Sequence, residues 1–126
     1  MDTVKVIDAS ALASYCFDEP EMPSIEQDLA TGMLCAPAIL YFEMINICWK
    51  KCRREPGARS SLLQQFEVAL AVPVKILDVD AGEVVSLACD TGLSGYDASY
   101  LWLARVLGAP LVTHDVKLRR AALKLN

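Results

Sequence analysis

Short apolar segments alternate with longer segments of helical periodicity along this chain, and this alternation limits its fold more than any other feature. The apolar segments read VKVID, MLCAP, VPVKILDV and APLVTHD, and each is followed by a segment with apolar residues at helical spacing. Strands joined through helices pair in parallel, because the crossover returns the chain to the same end of the sheet. The sequence therefore predicts an α/β domain with a mainly parallel sheet of four strands.

The segments between the predicted strands give the helices and the domain organisation. Helices are predicted over 10–17, 24–30, 38–55, 60–71, 80–92, 94–108 and 116–125. A chain of 126 residues has room for one core, so residues 1–126 are interpreted as a single domain. The helix over 38–55 is apolar on nearly every face from Ile39 to Trp49, and such a helix needs burial on all sides. We therefore expect a homodimer in which a second copy covers part of this helix.

The cysteines and the amino-terminal segment indicate where the protein works. Five Cys, an odd number without a CxxC pair, fit buried, reduced thiols in a cytosolic protein. Cys48 and Cys52 lie four residues apart, but two thiols leave a zinc ion without a full ligand set. The sequence MDTVKVID has no signal-peptide pattern, and no segment reaches the roughly 18 apolar residues of a membrane span. We expect a cytoplasmic protein with no membrane partner.

Four acidic residues occupy positions that suit a ligand site. Asp8 and Asp115 end predicted strands, Asp97 begins a helix, and Glu43 interrupts an apolar helix. Ligands of open parallel sheets bind beyond the carboxyl ends of the strands, so these acids can share one crevice. Helix capping is the alternative for Asp8 and Asp115, and Ser94 and Asp97 have capping-box spacing. Glu43 has no such alternative, because an unpaired charge in apolar surroundings costs several kcal/mol.

Three segments carry a resemblance to a known family. VIDASAL, APAILYFEMINICWKKCRR and GLSGYDASYLWLARVLGAPLVTHDVKLRRAA resemble, in order and spacing, the motifs of PIN-domain ribonucleases, especially the VapC-type toxins of prokaryotic toxin–antitoxin pairs. The resemblance implies a PIN-like three-layer α/β/α domain. The family usually adds a fifth strand after the last helix, whereas this sequence ends in AALKLN. The sheet is therefore expected to have four strands, or five if another chain completes its edge.

The resemblance also implies an active site and partners. The family's catalytic, metal-binding acids correspond to Asp8, Glu43, Asp97 and Asp115, and polar residues of the same pocket correspond to Ser10, Asn46 and Thr113. A ligand set made only of carboxylates suits Mg²⁺ or Mn²⁺. The implied activity is metal-dependent endonucleolytic hydrolysis of RNA. The implied partners are an RNA substrate and a cognate antitoxin that neutralises the toxin.

The distribution of charge agrees with an RNA partner although the net charge is -4. When the four proposed ligands are set aside from the 16 acids, the remaining twelve equal the 12 Lys and Arg. Basic residues cluster in KKCRR, at the end of the Glu43 helix, and in KLRR, after Asp115. A cluster at a helix end also stabilises the helix dipole, which is the alternative for KKCRR. The residues expected to contact phosphates are Lys50, Arg54, Lys117, Arg119 and Arg120.

Two other functions remain open to the sequence. One is a catalytically inactive PIN-like module that binds RNA or protein, and the retention of all four acids favours the enzyme over it. The other is a phosphohydrolase with Asp8 as the nucleophile. Such sites typically have a second Asp two residues later, where this chain has Ser10.

The remaining polar and aromatic candidates are assigned to structural roles. Tyr96 and Tyr100 are expected to pack in the domain. Asp80 is expected to cap the helix that follows it. His114 is expected to face away from Asp115, because adjacent residues of a strand point to opposite faces.

Overall fold

The computed structural model describes residues 3–17 and 30–124. The strands are β1 (Val4–Ile7), β2 (Met33–Ala36), β3 (Val74–Ile76) and β4 (Leu111–Val112). The helices are α1 (Ala9–Cys16), α2 (Ile39–Arg54), α3 (Arg59–Ala71), α4 (Ala81–Thr91), α5 (Gly95–Leu107) and α6 (Val116–Lys124), with a 3₁₀ turn at Pro56–Ala58. All strand pairs are parallel, in the order β3-β2-β1-β4. The predicted α/β class and parallel sheet are confirmed.

Two groups of helices flank the sheet and form a three-layer α/β/α domain. Helices α1, α2 and α3 pack against one another, and α5 packs against β1, β4, α4 and α6. Val6 and Ile7 of β1 have no solvent exposure, and Leu40 and Met44 of α2 are equally buried. Full burial of a side chain of this size contributes roughly 1.5–3 kcal/mol, so the apolar strand positions and the inner face of α2 hold the layers together.

The ends of β1 and β4 meet at the point where the strand order reverses. Ile7 pairs with Val112, and the backbone N of Asp8 donates a hydrogen bond to the carbonyl oxygen of Val112 at 3.2 Å. The chain passes from β1 to β2 on one side, and β4 lies on the other side of β1. Such a reversal opens a crevice beyond the carboxyl ends of the strands. The residues that follow β1 and β4 therefore face one shared crevice.

Two strands are shorter than the sequence predicts. Pairing is limited to Val74–Ile76 in the segment 72–79 and to Leu111–Val112 in the segment 109–115. Both are edge strands, so each has only one neighbour with which to form ladder hydrogen bonds. Asp115 therefore does not end a strand. His114 also lies beyond β4, so the alternation of side chains along a strand does not determine its orientation. The described residues contain four strands and no fifth.

Helix α2 is not covered on every face within a single chain. Helices α1 and α3 cover its inner side, whereas Phe42, Ile45 and Trp49 are 67%, 53% and 52% exposed. A small domain has too few helices to cover α2 completely, so the outer face is open in a single chain. No helix within the described ranges is long and apolar enough to cross a membrane. The helix predicted over 24–30 falls outside those ranges, except for its last residue.

Gly32 forms the turn that leads into β2. Its φ is +86°, a conformation that side chains with a Cβ disfavour, and a Cβ placed there would collide with the carbonyl oxygen of Thr3. The same carbonyl accepts a hydrogen bond from the backbone N of Met33 at 2.6 Å. The glycine thus lets the chain turn tightly against the beginning of β1.

We expect Gly32→Ala to lower the free energy of unfolding by about 2 kcal/mol or more in urea denaturation, because strain from positive φ adds to the collision. Gly57→Ala is the matched control, since no atom lies within 4 Å of its added Cβ. It should change stability by less than about 0.5 kcal/mol. Equal effects of the two substitutions would contradict this account of the turn.

Candidate metal centre

Asp8 links the end of β1 to the beginning of α1 and is only 5% exposed. Its Oδ1 accepts hydrogen bonds from the backbone N of Ala11 at 3.0 Å and from Ser10 Oγ at 2.7 Å. Its Oδ2 accepts one from Thr113 Oγ1. Asp8 is therefore the cap of α1, as the alternative explanation required. A carboxylate has about four acceptor positions, so these bonds leave capacity for a cation.

Two hydroxyl groups connect Asp8 to the segment after β4. Thr113 Oγ1 accepts a hydrogen bond from the backbone N of Asp115 at 2.9 Å, and Ser10 Oγ accepts one from the backbone N of His114 at 3.0 Å. The two hydroxyl oxygens lie 3.4 Å apart. This network fixes the position of Asp8 relative to Asp115. The side chain of His114 takes no part in it, and its buried Nε2 has no hydrogen-bond partner among the described residues.

Glu43 is held by a residue that sequence reasoning assigned only to packing. Its Oε1 accepts a hydrogen bond from the Tyr100 hydroxyl at 2.6 Å. Tyr100 is 1% exposed, so it does pack in the core. Its hydroxyl also connects α5 to Glu43 of α2. Tyr100 lies three residues after Asp97 and therefore on the same helix face. This spacing was the feature of the sequence that could have indicated its place beside the acids. Tyr96, by contrast, is largely exposed, and its assignment to packing was wrong.

Asp97 and Asp115 lie in the first turn of α5 and just before α6. Ser94 Oγ accepts a hydrogen bond from the backbone N of Asp97 at 3.1 Å, so the cap of α5 is the serine. Asp115 Oδ1 accepts one from the backbone N of Leu118 at 2.8 Å and caps α6. Both aspartates are half-buried. Capping therefore uses one oxygen of Asp115, and the Asp97 carboxylate also interacts with the capping Ser94 hydroxyl, whose hydrogen bond lowers the pKa of Asp97.

The four carboxylates are close enough to affect one another's ionisation. Burial is the main cause that raises the pKa of Asp8, Glu43 and Asp97 above the usual range. The charge of Asp115 raises the pKa of Asp8 and Asp97, and the charges of Asp8 and Asp97 raise that of Glu43. The hydrogen bonds from Thr113 and Tyr100 act in the opposite direction on Asp8 and Glu43. The structure thus gathers all four predicted acids into one electrostatically coupled crevice.

The four carboxylates, and the neutral hydrogen-bond donors that surround them, suit a hard divalent cation. The hydrogen bonds to Asp8, Glu43 and Asp115 come from hydroxyl groups and backbone N–H groups, which are neutral and leave the negative charge in place. Oxygen ligands of this kind suit Mg²⁺ or Mn²⁺. Within the described ranges, no three acids, imidazoles or thiols are arranged to hold an ion directly. Water ligands, which Mg²⁺ retains in proteins, would have to complete its shell.

The polar and basic residues on α2 extend from the crevice. Asn46 is exposed one turn after Glu43. Lys50 and Arg54 are also exposed, about 10 and 16 Å further along the same helix face. The structure therefore places these two cations in line with Glu43 along α2.

The basic residues on α6 lie closer to the acids. Lys117 lowers the pKa of Asp97 through its charge, and its Nζ donates a hydrogen bond to the carbonyl oxygen of Gly92 at 2.8 Å. Arg119 donates a hydrogen bond from Nη2 to the carbonyl oxygen of Thr113. Arg120 is exposed. The first turns of α6 thus bring positive charge directly beside the carboxylates.

Comparison with known proteins identifies the class to which this fold and crevice belong. The family model of the PIN domain matches residues 5–124, so the chain belongs to the PIN domain family. Within that family it is similar to Ribonuclease VapC3 of Pyrobaculum aerophilum, with 30% identity over 118 residues and 90% of each chain covered. PIN-domain ribonucleases generally depend on a divalent metal ion.

Solved structures share the fold over nearly the whole chain. The crystal structure of PAE2754 from Pyrobaculum aerophilum has a TM-score of 0.77 and 24% identity, covering 99% of this chain and 95% of that one. The crystal structure of VapBC2 from Rickettsia felis, bound to a promoter DNA fragment, has a TM-score of 0.65 and 16% identity. The match covers 94% of this chain and 93% of that one. The crystal structure of VapC20 from Mycobacterium tuberculosis, a sarcin-ricin loop cleaving toxin, has a TM-score of 0.65 and 16% identity. The match covers 93% of this chain and 94% of that one.

We expect Tyr100→Phe to weaken Mn²⁺ binding about tenfold or more, because the hydroxyl that orients Glu43 is lost while the buried ring remains. The measurement is the rise in melting temperature with increasing Mn²⁺ concentration, which reports affinity for the folded state. Tyr96→Phe is the matched control, since this tyrosine lies on the same helix but is exposed. An unchanged Mn²⁺ response in Tyr100→Phe would show that the hydroxyl does not orient a ligand.

Proposed function

We propose that this protein is a metal-dependent endoribonuclease that hydrolyses RNA phosphodiester bonds and acts as the toxin of a toxin–antitoxin pair. The observation that carries the proposal is the crevice formed by Asp8, Glu43, Asp97 and Asp115. PIN domain membership and the similarity to Ribonuclease VapC3 supply the class of reaction. An inactive binding module would have no need for acids whose burial raises their pKa.

The side chains have distinct tasks in this proposal. The four acids are the proposed ligands, and Mg²⁺ or Mn²⁺ held there would polarise the phosphate and lower the pKa of bound water. Ser10 and Thr113 keep Asp8 fixed through their hydrogen bonds. Tyr100 keeps Glu43 directed towards α5. Burial raises the pKa of the Tyr100 hydroxyl, so it stays protonated and remains a donor.

The proposed RNA contacts lie on both sides of the acids. Lys50 and Arg54 extend along α2, and Lys117, Arg119 and Arg120 lie on α6. Lys and Arg neutralise backbone phosphates without reading the base sequence. RNA that crosses the crevice would therefore be held on either side of the scissile bond, and Asn46 lies on its path along α2.

The partners and compartment follow from the same similarity. The relation to VapC proteins supports an antitoxin that binds this chain. The five cysteines all lie within the described residues and form no disulfide, which supports the reducing environment of the cytoplasm, although Cys89 is exposed and not buried as expected. The exposed apolar face of α2 supports a homodimer, since burying such a face is favourable.

Purified protein is expected to cleave single-stranded or loop RNA in Mg²⁺ or Mn²⁺, to lose this activity in EDTA, and to regain it in excess metal. The reason is that a metal ion held by the carboxylates is the proposed means of lowering the pKa of the attacking water. Electrophoresis of labelled RNA is the measurement. Full cleavage in EDTA would exclude the metal mechanism.

We expect Asp8→Asn to abolish most RNA cleavage and to reduce the stabilisation that Mn²⁺ gives. Asn caps a helix about as well as Asp, so the fold should persist. Burial raises the pKa of Asp8, so its charge destabilises the folded, metal-free protein at neutral pH. The melting temperature in EDTA should therefore rise or stay the same.

Asp78→Asn is the matched control for this variant, because Asp78 is exposed and lies after β3. It should retain cleavage and the full Mn²⁺ response. If Asp8→Asn behaves like this control, the role of Asp8 is limited to capping α1.

The homodimer is expected to form at micromolar concentration through the outer face of α2. Light scattering should give twice the chain mass of 13.8 kDa, and Ile45→Glu should shift the protein towards monomer by burying a charge in the interface. Val85→Glu is the control, since this valine is 60% exposed on α4. A monomeric wild-type protein across this range would contradict the prediction.

A further inference from the structure

A second cleft adjoins the acidic crevice, between the end of α4 and one face of α6. Its volume is about 550 Å³. Leu93 and Ala121 are among its apolar lining residues, and Thr91 lies at the end of α4. Its charged lining residues are Lys117, Arg120, Lys124 and Asp90. Three cations against one acid make this cleft basic in a protein whose net charge is negative.

The three cations form a row that begins at the acids. Residues 117, 120 and 124 recur at helical spacing, so they share one face of α6 over about 10 Å. Lys117 is the near end of the row, because its charge acts on Asp97 and its Nζ is bound to the carbonyl oxygen of Gly92. Arg120 and Lys124 are exposed further along the helix. A strand of RNA that leaves the crevice on this side would follow the row.

The lining combines the two kinds of surface that a nucleotide requires. Val116, which is 57% exposed, and the half-buried Ala121 offer an apolar surface for a ribose or base, whereas Leu93 is buried. The Arg120 guanidinium and the Lys124 ammonium group are donors suited to phosphate oxygens. Thr91 Oγ1 is already used, since it donates to the carbonyl oxygen of Leu87 and accepts from the backbone N of Leu93. The lining therefore offers hydrogen-bond donors for phosphate oxygens and an apolar surface for a ribose or base.

We propose that this cleft binds a nucleotide that flanks the scissile bond of the RNA substrate, with its distal phosphate on Arg120 and Lys124. The inference rests on the proposed function, because it assigns a place to RNA beyond the bond that is cleaved. It adds Lys124 and the apolar surface of Val116 and Ala121 to the RNA-binding residues predicted from sequence. Asp90 opposes the phosphate, so its charge weakens binding here.

The test is the affinity of the Arg120→Gln/Lys124→Gln double variant for a fluorescein-labelled 12-nucleotide RNA. Fluorescence anisotropy is measured in EDTA, so that no RNA is hydrolysed, and over a range of salt concentrations. We expect affinity to fall about tenfold or more. The slope of log affinity against log salt should decrease in magnitude by about 1.4, which corresponds to two phosphate contacts on single-stranded RNA.

Two control variants separate local contact from net charge. Lys75→Gln/Arg105→Gln removes the same charge from exposed positions on β3 and α5 that do not line the cleft, and its salt slope should match that of wild type. Asp90→Asn should bind RNA more tightly. If the two double variants lose affinity equally, or if the cleft variant loses none, the proposed subsite is wrong.

The design also distinguishes failure of the subsite from failure of the enzyme proposal. If wild-type protein cleaves RNA in Mg²⁺ and the cleft variant binds like its control, the subsite and the RNA contact proposed for Arg120 are overturned, and the nuclease proposal stands. If wild-type protein neither binds nor cleaves RNA, both proposals are overturned. Cross-linking of RNA that contains 4-thiouridine gives a second measurement, and we expect the label on the peptide 116–124. Cross-links elsewhere only would overturn the subsite.

Discussion

The buried carboxylate of Asp8 is the interaction on which the rest of the crevice depends. A charge at this depth is costly unless hydrogen bonds and counter-charges surround it. Ser10, Ala11 and Thr113 provide the hydrogen bonds, and Thr113 also accepts a bond from the backbone of Asp115. Satisfying Asp8 therefore ties the end of β1 to the segment after β4. The same bonds leave its negative charge in place, which is the condition for attracting a cation.

Three helices begin around this crevice and contribute to its electrostatics. Asp8 caps α1, Asp115 caps α6, and Asp97 lies in the first turn of α5. Helix amino termini carry partial positive charge, which stabilises nearby carboxylates and also favours phosphate. Capping and ligand binding are thus compatible for Asp8 and Asp115, because a cap occupies only part of a carboxylate. The two explanations that the sequence left open are not alternatives for these residues.

Helix α2 contributes Glu43 to the crevice, packs in the core and exposes an apolar face on the surface. Its inner side packs in the core through Leu40 and Met44, and Glu43 reaches Tyr100 of α5. Its outer side exposes Phe42, Ile45 and Trp49. The guanidinium of Arg53 lies 4.8 Å from the centre of the Trp49 ring, a cation–π contact that covers part of this surface. A single helix can meet these demands because consecutive residues point to different sides.

The sequence by itself determined the class of fold, the parallel sheet and the four acids that share the crevice. Local patterns suffice for these, since apolar periodicity defines each element, parallel strands end at one edge, and the acids stand near element ends or interrupt an apolar helix in motifs that resemble those of the PIN family. Only the tertiary structure decided that β4 stops at Val112, that Tyr100 holds Glu43, and that the outer face of α2 is open. Each of these depends on a partner distant in sequence or on which neighbours cover a surface. Tyr100 and Glu43 are 57 residues apart, and no periodicity within either helix shows that the two side chains meet.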